Sequence, residues 1–222
     1  MAKLLIFTTA DDEETRRNNR EEVVKKIIRD TMVVVNASIR KIHMKLDEDV
    51  RDEWNMEDRM NAYTAVYNVF CTKDIHGFWH YVIREFYDKY ESILTQRISN
   101  YVIPSLEDMY GEEFMIEIVI QWTELEQYKR YLQIIFARVE KVAAHLHLEN
   151  HSLIDICKTQ FCDRVWDRFH TEIDFSVTKM KEAGVFSNEN PLKNDLIQFF
   201  TDMEKVRPNE RFQTTYDIVK QQ

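Results

Sequence analysis

Apolar residues recur along nearly the whole chain at the spacing of α-helices. They stand three or four positions apart in one segment after another, which places them together on one face of a helix. The helical segments are about 23–42 (as one long helix or two shorter ones), 56–71, 77–102, 111–122, 123–146, 153–180 and 192–206. The pattern therefore predicts an all-α fold.

Three stretches are predicted to flank or interrupt these helices. Residues 1–20 combine a short apolar patch with a long polar run and are predicted to form a solvated tail. Pro104 is predicted to end the helix that begins near residue 77, because its ring removes a backbone donor and disfavours helix in the residue before it. Residues 182–191 contain Gly184 and Pro191 and form the clearest predicted loop.

Two of the predicted helices are more apolar than one side of a core requires. Apolar residues of segment 56–71 cover about 220° of the helix circumference, whereas a face packed on a core needs roughly 100° or somewhat more. The helix running from Trp122 through Val142 shows a similar excess. The surplus surface is either buried by further helices or offered to another protein. In the first helix the residues concerned are Met56, Met60, Ala62, Tyr63, Ala65, Val66, Tyr67, Val69 and Phe70.

Composition narrows the possible classes of protein. With 44% hydrophobic and 31% charged residues, the chain has a globular rather than a disordered composition. A formal net charge of −9 argues against a nucleic-acid partner, and no apolar run is long enough to cross a membrane. The cysteines Cys71, Cys157 and Cys162 are odd in number and form no CxxC pair, so we expect reduced thiols in a cytoplasmic or nuclear protein.

The sequence contains no recognisable catalytic constellation. Phosphate-binding loops and the GxSxG motif are absent, so no enzyme activity and no cofactor are predicted. His76 and His80 have the spacing of two metal ligands on a helix, but Gly77 lies between them and no HExxH frame surrounds them. No metal site is therefore predicted. The four tryptophans, Trp54, Trp79, Trp122 and Trp166, are expected in the core.

Several short patterns occur in an order that resembles the N-terminal region of the cullins, the scaffold subunits of multi-subunit ubiquitin ligases. The resemblance spans roughly residues 30–206. It is carried by Ala62-Tyr-Thr-Ala-Val-Tyr-Asn68, Phe86-Tyr-Asp-Lys-Tyr90, Trp122 at the start of a long helix, Leu153 to Ile156 followed by Trp166-Asp-Arg168, and Met180-Lys-Glu-Ala-Gly184.

The resemblance implies a stalk of cullin repeats, in which each unit packs chiefly on its neighbours. A five-helix first repeat is expected over residues 21–148, and a partial second repeat over 149–222. The C-terminal cullin homology domain would lie outside this chain, so the RING subunit is not expected to bind here. Phe199, Phe200 and Phe212 are then expected beneath helices that this chain does not possess.

The resemblance also implies a docking site. In cullins the second and fifth helices of the first repeat bind an adaptor with a BTB/POZ fold, such as a Skp-type or elongin-C-type protein. Aromatic and arginine anchors are typical of such hot spots. Transferred residue by residue, the adaptor-binding residues are Arg59, Ala62, Tyr63, Val66 and Tyr67 from the second helix and Arg138, Lys141 and Val142 from the fifth.

Departures from the family leave the consequence for binding open. The family mostly has a larger apolar residue where Ala62 stands. Arg138 stands where the family keeps a tyrosine, and Lys141 stands where it keeps an arginine. The resulting positive end either selects an acidic adaptor surface by charge complementarity or marks the loss of adaptor binding.

Three interpretations of function therefore stand side by side. The first is a non-catalytic cullin-type scaffold that positions an adaptor and its substrate receptor. The second is a helical interaction or tethering module unrelated to ubiquitin. The third applies if the 222 residues are the whole product: a decoy that occupies adaptors without a RING-binding end.

Overall fold

The computed structural model describes residues 10–47, 54–148, 152–186, 190–206 and 210–220. Within these ranges every regular element is helical and none is a strand, so the all-α prediction is confirmed. The α-helices are α1 (Ala10–Asp47), α2 (Met56–Val69), α3 (Trp79–Arg97), α4 (Ile103–Leu106), α5 (Gly111–Leu146), α6 (Leu153–Phe161), α7 (Asp167–Glu182), α8 (Pro191–Glu204) and α9 (Glu210–Lys220). A 3₁₀ turn (Lys73–Gly77) precedes α3, and π-helical turns (Ile98–Val102 and Cys162–Trp166) join α3 to α4 and α6 to α7.

Helix α1 is a single long helix that begins at Ala10, inside the segment predicted to be a tail. Residues 13–20 are all exposed, as expected for a solvated segment, but they are helical. Acidic and basic residues spaced three or four positions apart stabilise an exposed helix without an apolar face. Glu13 and Arg17 have this spacing within residues 13–20, and just beyond them the Oε1 of Glu21 and the Nζ of Lys25 lie 2.8 Å apart. Residues 1–9, which complete the predicted tail, lie outside the described residues.

Pro104 does not end the helix that precedes it, which corrects the prediction. The chain passes from α3 through the π-helical turn into α4, and the helix ends only after Leu106, where Glu107 is extended. In the π-helical turn the N–H of Ile103 donates to the carbonyl of Ile98, five residues back. This wider turn changes the hydrogen-bond register just before the proline, so its missing donor is accommodated at the start of α4.

Two further differences concern helix continuity. The predicted segments 111–122 and 123–146 form one 36-residue helix, α5. The predicted loop at 182–191 is observed as turns from Ala183 to Phe186 before α8 begins, while 187–189 lie outside the described residues. Helix α9 was not predicted.

The chain divides into two compact units. The first comprises Met1–Phe86 with Ile134–Leu148, and the second comprises Tyr87–Gln133 with Glu149–Gln222. Helices α3 and α5 contribute residues to both units. The predicted repeat boundaries at 148 and 149 remain a prediction, since this division rests on contacts within each unit rather than on repeats.

In the first unit, a capping box fixes the start of α2. The side chain of Asn55 accepts from the N–H of Asp58, and the Asp58 carboxylate accepts from the N–H of Asn55. Asp58 also pairs with α1, because the Lys41 Nζ donates to its Oδ1 at 2.7 Å. Since the Lys41 side chain is 43% exposed, this ion pair between α1 and α2 contributes little stability.

In the second unit, an aromatic cluster forms the core. Its members come from α5, from α6 and the π-helical turn that follows it, and from α8 and α9. They are Trp122, Phe161, Trp166, Phe199, Phe200, Phe212 and Tyr216, all nearly or fully buried.

The expectation that Phe199, Phe200 and Phe212 need helices from outside the chain is wrong. Helix α9 supplies the cover, because Phe212, Tyr216 and Val219 lie on one of its faces and are buried. The centroids of the Phe212 and Trp166 rings are 4.8 Å apart, and those of Phe212 and Phe200 are 5.3 Å apart.

None of the described helices is long and apolar enough to cross a membrane.

Candidate functional site

The surplus apolar surface of α2 is exposed to solvent. Met56, Met60, Tyr63 and Tyr67 follow each other at helical spacing along one face of the helix. Met56 is 71% exposed, Met60 is 55% exposed and Tyr67 is 37% exposed, while Tyr63 is half-buried. The residues that pack inward are Ala62, Val66 and Val69. Met56, Met60 and Tyr67 therefore keep exposed surface that the described helices do not bury.

The eight residues predicted for adaptor binding separate into two groups. Ala62 and Val66 are fully buried. They hold α2 in the first unit and have no surface to offer a partner. The other six are half-buried or exposed, and we call them the α2–α5 face: Arg59, Tyr63, Tyr67, Arg138, Lys141 and Val142.

The structure brings α2 and α5 together through Tyr67. The guanidinium carbon of Arg138 lies 5.1 Å from the centroid of the Tyr67 ring, which is the geometry of a cation–π contact. The rings of Tyr63 and Tyr67 are 5.8 Å apart and inclined by 30°. The Nε–H of Arg138 is buried and donates to no acceptor among the described residues. Arg138 of α5 thus contacts the tyrosine pair of α2 through its cation.

Tyr67 is held in its neutral form. The hydrogen bond with the side chain of Cys71 raises the pKa of Tyr67, and the positive charge of Arg138 opposes this shift without cancelling it. The hydroxyl is thereby engaged with Cys71, and the face presents an apolar ring beside a cation.

A groove that the sequence did not predict continues from this face along α5. Its floor is formed by Phe70, Trp79, Val142 and Leu146, and its rim by Arg138, Lys141 and His145. Its volume is about 370 Å³. We call it the α5 groove. Trp79 is only half-buried, unlike the other three tryptophans, which are in the core as expected.

The floor of the α5 groove contains stacked aromatic rings. The Trp79 ring stacks on Phe70, with centroids 5.7 Å apart and planes within 9° of parallel. His76 stacks near Trp79 at 5.7 Å. In the sequence, a half-exposed tryptophan cannot be told from a core tryptophan, because both occur at the same helical positions. The sequence signal for the groove was the helical spacing of four of its residues along one side of α5, namely Arg138, Lys141, Val142 and His145.

The three cysteines, all within the described part of the chain, are thiols rather than disulfides. Cys71 is exposed, whereas Cys157 and Cys162 are buried. Burial raises the pKa of the Cys157 thiol to about 12, outweighing the attraction of Lys129. At pH 8 Cys157 is therefore protonated as well as inaccessible, and both properties suppress its reaction as a thiolate.

We expect one fast-reacting thiol in the native protein. Treatment with a maleimide at pH 8 should modify Cys71 rapidly, and Cys157 and Cys162 only after unfolding in denaturant, as measured by intact-mass spectrometry. Cys71→Ser should abolish the rapid modification and leave the modification of Cys157 and Cys162 in denaturant unchanged. Equal rates for Cys71 and Cys157 would contradict the burial of Cys157.

The described residues contain no group of three or more His, Cys, Asp or Glu side chains that could hold a metal ion.

Two cullins are similar in sequence to part of this chain. Cullin-1 of Oryza sativa subsp. japonica is 26% identical over 107 residues, covering 48% of this chain and 14% of that protein. Cullin-2 of Arabidopsis thaliana is 26% identical over 110 residues, covering 49% of this chain and 14% of that protein. The chain contains a cullin-like region. The resemblance inferred from the motifs is thereby confirmed.

The extent of this similarity is limited. About half of the chain aligns with the two cullins, and the aligned part spans about one seventh of their length. No protein-family model matches the chain, and no solved structure matches it. The comparisons therefore establish that this chain contains a cullin-like region. The activity and the partners of whole cullins come to this chain only as proposals.

Proposed function

We propose that this chain is a non-catalytic scaffold segment of a cullin-type ubiquitin ligase, and that it docks a BTB/POZ-fold adaptor through the α2–α5 face. Tyr63 and Tyr67 are the apolar anchors, and Arg138 is the cationic anchor beside them. Ala62 and Val66 act from beneath by fixing α2 in the first unit.

The observation that carries the proposal is the exposed aromatic and methionine strip of α2 in contact with Arg138. Met56, Met60 and Tyr67 keep a large exposed fraction although each could have packed in a core. Methionine adapts its shape to a partner, and tyrosine and arginine are enriched at binding hot spots. An exposed strip of this composition supports docking of a protein more than it supports a further intramolecular role.

The position of Arg138 favours binding of a different kind of adaptor over a loss of adaptor binding. The guanidinium carbon of Arg138 lies 5.1 Å from the centroid of the Tyr67 ring, so the cation stands beside the aromatic anchors of α2. The departure thus adds a positive charge to the face, and an adaptor with an acidic patch is the expected partner.

The test is a pull-down with the purified chain and a panel of BTB/POZ-fold adaptors of the Skp, elongin-C and BTB types. We expect one adaptor class to be retained, and Arg138→Glu to weaken that binding by about tenfold or more, because like charges then meet across the interface. Far-UV circular dichroism checks that the variant is folded.

Arg130→Glu is the matched control, since Arg130 is an exposed arginine on α5 that does not belong to the face. It should bind as the unaltered chain does. Retention of no adaptor in the panel, or equal loss in both charge variants, would remove the support for this function.

A further inference from the structure

The α5 groove differs from the rest of the molecule in charge. The chain as a whole carries a formal net charge of −9. Among the described residues that line the groove, however, the ionisable side chains are Arg138, Lys141 and His145, and none is a carboxylate. A locally basic groove on an acidic protein attracts an acidic ligand at close range, while the overall charge repels acidic molecules that lack a specific fit.

The spacing of these basic groups argues against a single small anion. Arg138, Lys141 and His145 follow one side of α5 over about two helical turns, a rise of about 10 Å along the axis. A phosphate or another compact anion could contact only one or two of them. Carboxylates distributed along a peptide segment could meet all three.

The floor of the groove adds a requirement for an apolar group. Trp79 is stacked on Phe70 and faces Val142 and Leu146 across a volume of about 370 Å³. That volume is near the lower end of the roughly 300–1,000 Å³ typical of ligand pockets, so it suits one bulky side chain rather than a folded element. Cations near the end of α5 are also favoured by the helix dipole, but the dipole does not account for the half-exposed aromatic floor.

We propose that the α5 groove binds an acidic peptide segment of a protein partner, with one aromatic or large aliphatic side chain of that segment inserted against Trp79. Glutamate or aspartate side chains on either side of this anchor pair with Lys141 and Arg138. The groove shares Arg138, Lys141 and Val142 with the α2–α5 face, so the inference rests in part on the proposed function. It adds the chemistry of the partner: acidic, with an apolar anchor.

The experiment uses the whole chain without any adaptor. A short fluorescein-labelled peptide, with alternating Glu and Ser around one central Phe, is titrated with the protein and followed by fluorescence anisotropy. Two matched peptides replace either the Phe by Ala or every Glu by Lys. We expect saturable binding of the first peptide, at least about tenfold weaker binding of the Ala peptide, and no binding of the Lys peptide. Affinity should fall as salt is added.

Substitutions in the protein then test whether the peptide binds in the α5 groove. Lys141→Glu should weaken binding of the acidic peptide by about tenfold, because the exposed rim changes sign. Leu146→Gln should also weaken it by removing part of the apolar floor. Arg130→Glu carries the same charge change elsewhere on α5 and should bind within about twofold of the unaltered chain. Equal weakening by Lys141→Glu and Arg130→Glu would mean a diffuse charge effect and would overturn the inference, as would equal affinity for the Phe and Ala peptides.

The two proposals fail in different ways. Peptide binding with no adaptor retained in the panel refutes the adaptor function and leaves the groove as an acidic-segment site. An adaptor retained through the α2–α5 face, with no acidic peptide bound, refutes the groove inference alone.

Discussion

Phe200→Ala is expected to destabilise the second unit by about 3–5 kcal/mol, because it empties the middle of that unit's core. Phe200 is fully buried at the centre of the aromatic cluster. Truncation removes the transfer free energy of the ring and leaves a cavity that rigid aromatic neighbours cannot fill by relaxing. Four rings lose a partner, with centroids at 5.3 Å (Phe199), 5.3 Å (Phe212), 5.6 Å (Tyr216) and 6.1 Å (Trp166).

Urea denaturation followed by far-UV circular dichroism measures this loss, and hydrogen exchange of peptides from α8 and α9 localises it. Phe175→Ala is the matched control, because Phe175 lies on α7 in the same unit but is 52% exposed. That control should change the free energy of unfolding by no more than about 0.5 kcal/mol. Should Phe200→Ala prove as mild as Phe175→Ala, the cluster would not be the core of this unit.

Val66→Asp is expected to destabilise the first unit by about 3–5 kcal/mol, because it places a carboxylate at a fully buried position of α2. The neighbouring substitution Tyr67→Ala should behave in the opposite way. Tyr67 is 37% exposed, so its loss should leave the fold in place while costing about 2 kcal/mol or more of adaptor binding. The pair separates the buried side of α2 from its docking side within one turn of helix.

Thermal unfolding and the adaptor pull-down, carried out on the same preparations, provide the two readouts. Thr64→Asp is the control for the new charge, since Thr64 is exposed on the same helix. It should leave the melting temperature nearly unchanged. A Tyr67→Ala protein that unfolds as readily as Val66→Asp would show that Tyr67 is a core residue, and the docking interpretation of α2 would then fail.

Local spacing carried most of the fold prediction. Apolar residues at helical intervals were sufficient to predict α2, α3, α8 and the joined helix formed by α6 and α7, because each of these buries one side. The start of α1 was missed since residues 13–20 bury no side chain, and charge spacing rather than apolar spacing supports that helix. Pro104 was misjudged because the π-helical turn that accommodates it has no simple sequence signature.

Helix α9 could not be predicted from the local spacing of apolar residues alone. Phe212 and Tyr216 have helical spacing, but the segment is short, and isolated short helices are marginal in water. Its stability comes from burial against Trp166 and Phe200, which are distant in sequence. The same contacts explain why the phenylalanines of α8 need no helix from outside the chain.

The sequence by itself determined that this protein is all-α, that it contains a cullin-like region, and that α2 and α5 carry more apolar surface than a core requires. Only the tertiary structure decided how that surface is divided. Ala62 and Val66 are buried, whereas Tyr67 is partly exposed and in contact with Arg138. Trp79 is half-exposed in a groove, although its spacing had predicted a core position. The physical reason is that a helix with apolar residues around most of its circumference has no single inward side, so the packing of other helices, remote in sequence, selects which residues are buried.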